Sequence, residues 1–193
     1  MVVLGLGNPG ERYERTRHNV GARVVEALVA RWKARPGESA AEYRAWEASP
    51  GGRPVALLRT RIYMNESGPA LAAWRARHPF EAGELLVVAD DVYLPVGMVR
   101  LRPGGGSGGH RGLESIGQTL GSFEFARLRV GVGVSPSDVL RDHVLEEFSE
   151  TEETEVAAAV SEAADAVECW IGFGMLTAMN RFNRRVRKEE SEP

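Results

Sequence analysis

Two of the four histidines stand where a proton-transfer group would be useful. His18 sits in Thr16-Arg17-His18-Asn19-Val20-Gly21, and His110 closes the run Gly104-Gly105-Gly106-Ser107-Gly108-Gly109. Each marks the junction of a polar loop with a helical pattern, and imidazole is the side chain whose ordinary pKa, about 6.5, suits acid–base work near neutrality. His78, before Pro79, reads as a helix-end residue, and His143 reads as a surface residue. No two histidines have a ligand-like spacing and the single Cys169 cannot build a thiolate site, so no metal is expected. Asn8 and Asn65 follow strand-like runs. An asparagine there serves as a turn residue, or offers one acceptor and two donors to a peptide or a tetrahedral oxyanion. Asp90 ends the apolar run Leu85–Ala89, placed to orient a histidine and stabilise its cation, while Asp91 could act as a cap.

Two pattern matches point elsewhere. Gly5-Leu6-Gly7-Asn8-Pro9-Gly10 fits the dinucleotide-binding expression, but a polar stretch, Glu11–His18, follows instead of the apolar helix that motif needs. Gly105-Gly106-Ser107-Gly108-Gly109 fits a nucleophile elbow, with Asp138 and His143 in the expected order. Those two lie five residues apart in an acidic helical segment, and small neighbours would leave Ser107 poorly held. Neither reading explains the asparagines.

The elements that must position these residues follow from periodicity. Val2–Leu6 and Leu85–Ala89 are apolar runs suited to buried strands. Val20, Val24, Val25, Leu28, Val29 and Trp32 recur at helical spacing, with Asn19 as N-cap. Glu42–Ser49 and Pro54–Arg59 flank Pro50-Gly51-Gly52 as a hairpin. Helices are expected over Ala70–His78, Leu113–Leu120, Ser137–Phe148 and Glu152–Val186, the last broken near Gly172–Gly174; strands are expected over Val96–Arg102 and Arg127–Val134. The alternation predicts a single α/β domain, a mixed β-sheet layered with α-helices. Loops beyond the carboxyl ends of strands are where such folds gather functional groups. Asn8, Asn65, Asp90 and His110 are therefore expected to share one site. The last eight residues are expected to form a flexible tail.

The 193 residues suffice for one well-buried domain, and 43% apolar with 26% charged residues excludes a mainly disordered chain. No apolar run approaches the roughly 20 residues of a membrane helix. The absent leader-like start and the lone cysteine predict a cytoplasmic protein. The net charge of −3 hides strong asymmetry, and 22 of the 24 basic residues are Arg. Arg100–Arg129 carries five Arg against two acids, whereas Asp138–Glu168 carries eleven acids against one Arg. Local arginine patches hold phosphates even on an acidic protein.

The ordered blocks Gly5–Gly10 with Tyr13, Thr16–Gly21, Tyr63-Met64-Asn65-Glu66-Ser67-Gly68, Asp90 with Leu94-Pro95, Gly104–Gly112 and Arg127–Gly133 resemble the bacterial peptidyl-tRNA hydrolases. The resemblance implies hydrolysis of the ester joining a peptide to the 3′-terminal ribose of tRNA, without metal or cofactor, by a cytoplasmic monomer. It implies that His18 is the general base, that Asp90 supports it, and that Asn8 holds the carbonyl and selects N-blocked substrates. Asn65, Tyr13, Tyr63, His110 and Arg111 would contact the substrate, and Arg102 with Arg129 the 5′-phosphate of the tRNA. Two departures stand out. Arg111 replaces the usual Asn after His110, and Ala89 with Asp91-Val92-Tyr93 replaces His and Glu-Leu-Asp around Asp90, which makes Asp91 a rival carboxylate. The alternative function class is a catalytically silent tRNA- or ribosome-binding module on the same fold.

Overall fold

In chain order the protein forms β1 (Val2–Gly5), α1 (Val20–Arg31), β2 (Arg35–Pro36), β3 (Tyr43–Ala48), β4 (Val55–Thr60), α2 (Ser67–Arg75), β5 (Leu85–Asp91), β6 (Val99–Arg102), α3 (Arg111–Leu120), β7 (Ala126–Gly131), α4 (Leu140–His143), α5 (Glu150–Phe173) and α6 (Met175–Phe182). The structure, a computed structural model, describes residues 1–133 and 140–183. The sheet order is β2-β3-β4-β1-β5-β7-β6. Strands β4, β1, β5 and β7 are parallel, and β2, β3 and β6 add antiparallel edges.

β1 and β5 are buried along their whole length, as expected of inner parallel strands covered on both faces. Val3, Leu57, Leu86, Val88, Leu128 and Val130 pack against α1, α5 and α6. Leu4, Leu58, Val87 and Ala89 point the other way, onto Leu71 and Trp74 of α2 and Leu113 and Ile116 of α3. Three layers result, with the sheet in the middle. Helix α5 opens with a capping box between Ser149 and Glu152 and stops at Gly174, whose φ of 83° starts α6 on a new axis.

Beyond the short β2, which the sequence did not signal, three elements differ from the expectation. β5 runs through Asp91, so both aspartates are strand residues. Helix α4 ends at His143 because the next carbonyls are taken from outside: Val144 O accepts His18 N–H and Glu146 O accepts Arg17 N–H. The segment beyond α4 therefore lies along the His18 loop. β6 is antiparallel, so its carboxyl end lies at the far end of the sheet from Asp90. Arg102 is level with Arg127, whereas Asp90 is level with Val130, three steps or about 10 Å away. The glycine loop climbs back along the sheet to reach the site, and Arg127 and Arg129 both donate to Gly106 O on the way. The start of the expected fourth helix (residues 137–139), the expected helix beyond Asn183 and the last eight residues lie outside the described residues.

Candidate active site

The carboxyl ends of β1, β4 and β5 deliver Asn8, Met64-Asn65 and Asp90 to one end of the sheet. Helix α1 arrives over them at close range. Ala22 N–H donates to Leu6 O at 2.9 Å, and a Cβ on Gly21 would overlap the carbonyls of Val88 and Leu6. His18, one turn ahead of that contact, is thereby held over Asp90.

His18 Nδ1 and Asp90 Oδ1 are 2.7 Å apart, with side-chain exposures of 12% and 2%. A second histidine meets the same oxygen, His110 Nε2 at 2.9 Å. The tautomer of His110 is fixed by α3. Its Nδ1 accepts the N–H groups of Gly112 and Leu113 at 3.1 and 3.3 Å as a helix N-cap, so the ring proton must be on Nε2 and points at Asp90. Asp90 Oδ1 thus accepts from both rings. Burial opposes its charge, but the fields and hydrogen bonds of His18 and His110 hold its carboxyl well below the ordinary carboxylate range. The remaining nitrogen of His18, Nε2, is left to act as a base. Burial pulls the His18 pKa down, the Asp90 charge and hydrogen bond pull it up, and Arg111 pulls it down again; the sum is upward.

His18, Asp90 and His110 also bring three potential metal-ligand atoms within 4.8 Å of one another. The donor chemistry argues against that use. A histidine that binds metal through Nε2 needs a proton on Nδ1 and an acceptor facing it; His110 Nδ1 faces two donors instead.

Asn8 is braced on every side but one. Its N–H donates to Asn19 Oδ1 at 2.8 Å, its carbonyl accepts from Asn19 Nδ2 at 3.0 Å, and its Oδ1 accepts Met64 N–H at 2.9 Å. Met64 N–H fixes which way the amide faces, and the Asn8 NH₂ group, without a hydrogen-bond partner among the described residues, is a donor suited to a carbonyl oxygen or oxyanion. Asn19 is the N-cap residue of α1 by position, but its side chain makes no cap bond; it locks Asn8.

A cavity of about 590 Å³ opens over this cluster, lined by Asn8, Tyr13, His18, Tyr63, Asn65, Asp90, His110, Arg111 and Arg129 among others. Nine of the ten residues singled out in the sequence thus meet in one place. Tyr13 and Tyr63 meet edge to face at 6.5 Å, and Asn65 is exposed. Arg102 is the one that does not line the cavity. It shares a sheet face with Arg100, Arg127 and Arg129, since the pairs Arg100–Arg129 and Arg102–Arg127 are register partners. Arg127 is buried against Gly106 O and Phe123 O; burial and then the Arg129 charge push its guanidinium down to about 10. Arg129 pairs with Asp91 at 3.1 Å, which leaves Asp90 as the carboxylate in contact with His18.

Sequence reasoning missed the Asn19 brace, and it missed the contact of His110 with Asp90. It also misplaced His143, which is 9% exposed and lies 3.0 Å from Gly133 O, where it ties α4 to the end of the sheet.

The family model described as peptidyl-tRNA hydrolase matches residues 2–191. A protein of that name from Chloroflexus aggregans is 44% identical over 184 residues, 94% of this chain and 98% of the relative. One from Syntrophomonas wolfei is 41% identical over 182 residues, covering 94% and 99%. The crystal structure of peptidyl-tRNA hydrolase from Acinetobacter baumannii superposes with a TM-score of 0.89 at 30% identity, covering 94% of this chain and 93% of that one.

Proposed function

Since this chain belongs to the peptidyl-tRNA hydrolase family, we propose that His18 is the general base of its reaction, with Asp90 and Asn8 as its partners. The reaction is hydrolysis of the ester between the peptide and the 3′-terminal ribose of peptidyl-tRNA. The single observation that carries the assignment is the 2.7 Å contact of His18 Nδ1 with buried Asp90 beneath the cavity.

A water molecule at His18 Nε2 gives up a proton as its oxygen attacks the ester carbonyl. Asp90 stabilises the resulting imidazolium and keeps the ring's orientation. The tetrahedral oxyanion accepts from Asn8 Nδ2, already held in place by Asn19 and Met64. Collapse breaks the carbon–oxygen bond to ribose, and the leaving ribose oxygen takes the proton from His18. Tyr13, Tyr63 and Asn65 line the path of the tRNA end, with His110 acting from behind through Asp90. The fixed tautomer of His110 supports a mechanism without metal.

The same reading gives Arg102 and Arg129 to the tRNA phosphate. Arg102 is exposed and far along the sheet from Asp90, so it suits a part of the substrate remote from the ester. We place the enzyme in the cytoplasm as a monomer; no helix among the described residues is long and apolar enough to cross a membrane.

The test is turnover of N-acetylaminoacyl-tRNA in EDTA. Wild type should hydrolyse it, and His18→Ala should lose roughly 10²–10⁴ in kcat while staying folded. Wild-type turnover in the variant would remove His18 as base. Arg102→Ala should raise KM for full tRNA, flatten its salt dependence and spare kcat. A substrate reduced to the terminal adenosine ester should not distinguish it from wild type, and equal losses on both substrates would place Arg102 at the reaction centre.

A further inference from the structure

Arg111 is the first residue of α3 and is exposed at the wall of the cavity that holds His18. The other arginine beside the acid pair, Arg129, has a carboxylate partner, Asp91, at 3.1 Å. Arg111 has no carboxylate partner and no side-chain hydrogen bond among the described residues. It therefore presents an uncompensated positive charge to the space where the ester must sit.

We propose that Arg111 is an electrostatic partner of the reaction centre: from the cavity wall its guanidinium stabilises the oxyanion formed at the ester carbon. The proposal deepens the reading of His18 as base and rests on it. Attack of water turns a neutral carbonyl into an anion, so a cation on that wall is worth more in the transition state than in the ground state. Asn8 supplies a neutral donor there; a guanidinium adds a charge-assisted one.

The groups around the His18 ring allow such a role. Asp90 faces it from β5 and favours the imidazolium. His110, from the start of α3, turns its Nε2 to the same Asp90 oxygen and its Nδ1 to the N–H groups of Gly112 and Leu113. The segment after α4 offers only the Val144 carbonyl, to the His18 backbone. Arg12, also on the cavity wall, lies over the Tyr13 ring; Arg111 is the cation whose field on the His18 ring opposes that of Asp90.

The experiment compares wild type with Arg111→Gln and Arg111→Lys on two substrates, N-acetylaminoacyl-tRNA and N-acetylaminoacyl-adenosine without phosphates. Arg111→Gln should lose about 10²-fold in kcat on both, and Arg111→Lys should recover most of it. The His18 ring, followed by NMR titration without substrate, should titrate at higher pH in Arg111→Gln than in wild type. An unmoved midpoint overturns the proposal whatever the turnover. A loss confined to KM on the full tRNA makes Arg111 a phosphate contact, and no change on either substrate makes it a solvated side chain; both overturn it as well. Loss of turnover in His18→Ala tests the underlying base assignment separately.

Discussion

His18 works as a base only while Nε2 is unprotonated, so its pKa sets the acid limb of the rate profile. Burial alone would lower that pKa, but Asp90 outweighs burial and Arg111, and the folded value lies above the ordinary 6.5. kcat/KM should therefore fall as pH drops through a midpoint above 6.5. Asp90→Asn removes the raising influence, so the midpoint should move down while the plateau rate drops. Asp91→Asn should do much less, because that carboxylate faces Arg129. The reverse ranking, read from pH profiles of both variants, would mean that the wrong acid has been assigned. The types of these residues were legible in the sequence: a loop histidine, two strand-end asparagines and an acid closing an apolar run. What was not legible is which lone pair each one spends. Asn8 could be a donor or an acceptor until Met64 N–H occupies its Oδ1, and His110 could face substrate until α3 claims its Nδ1. Such pairings join residues 56 apart in one case and 20 apart in the His110–Asp90 case, and no local pattern encodes them.

Among the elements, apolar runs and helical periodicity located β1, β5, α1 and α3 to within a few residues. The shortcomings have physical causes. β2 is two exposed residues with no apolar signal, α4 is cut short by hydrogen bonds from the His18 loop, and strand direction is a property of the sheet that β6 alone does not carry. The placement of His18 depends above all on how closely α1 lies on β1 and β5, and Gly21 makes that approach possible. A methyl group there would strike the carbonyls of Val88 and Leu6, backbone atoms that cannot step aside as a side chain would. Gly21→Ala should destabilise by about 2 kcal/mol through overpacking, lowering Tm by roughly 4–8 °C for a chain of this size. It should also lower kcat, because lifting α1 draws His18 from Asp90. A melt and a turnover assay on the same preparation check both. An unchanged Tm would mean that the helix has room to spare.

Across the whole molecule, the charge asymmetry of the sequence becomes a joint between its two ends. The acids of α5 answer arginines carried on or just before α1, in the pairs Arg23–Glu153, Arg31–Asp165 and Arg17–Glu152. The last pair matters most to the site, since Arg17 precedes His18. Its guanidinium is buried over the Phe148 ring, donates to Val132 O at 2.9 Å, and grips both oxygens of Glu152 at 2.9 and 2.8 Å. One side chain therefore joins the His18 loop, the end of the sheet and the start of α5. The Arg17 hydrogen bonds, outweighing burial and helped by Ser149, hold the Glu152 carboxyl down at about 2. A depressed carboxylate stabilises the fold above its unfolded pKa, about 4.3, and that stability is lost as pH falls from there through about 2. The Glu152 side chain is 28% exposed, and with some solvent screening the pair is worth about 2 kcal/mol at neutral pH. Glu152→Gln keeps a group able to cap Ser149 but removes the charge, so it isolates the ion pair from the helix cap. At pH 7 the variant should melt roughly 4–8 °C below wild type. The two curves should converge as pH drops from about 4.5 to 2, because wild type then loses what the variant never had. A gap that stays constant down to pH 2 would assign the cost of the substitution to packing and leave the ion pair without a part in stability.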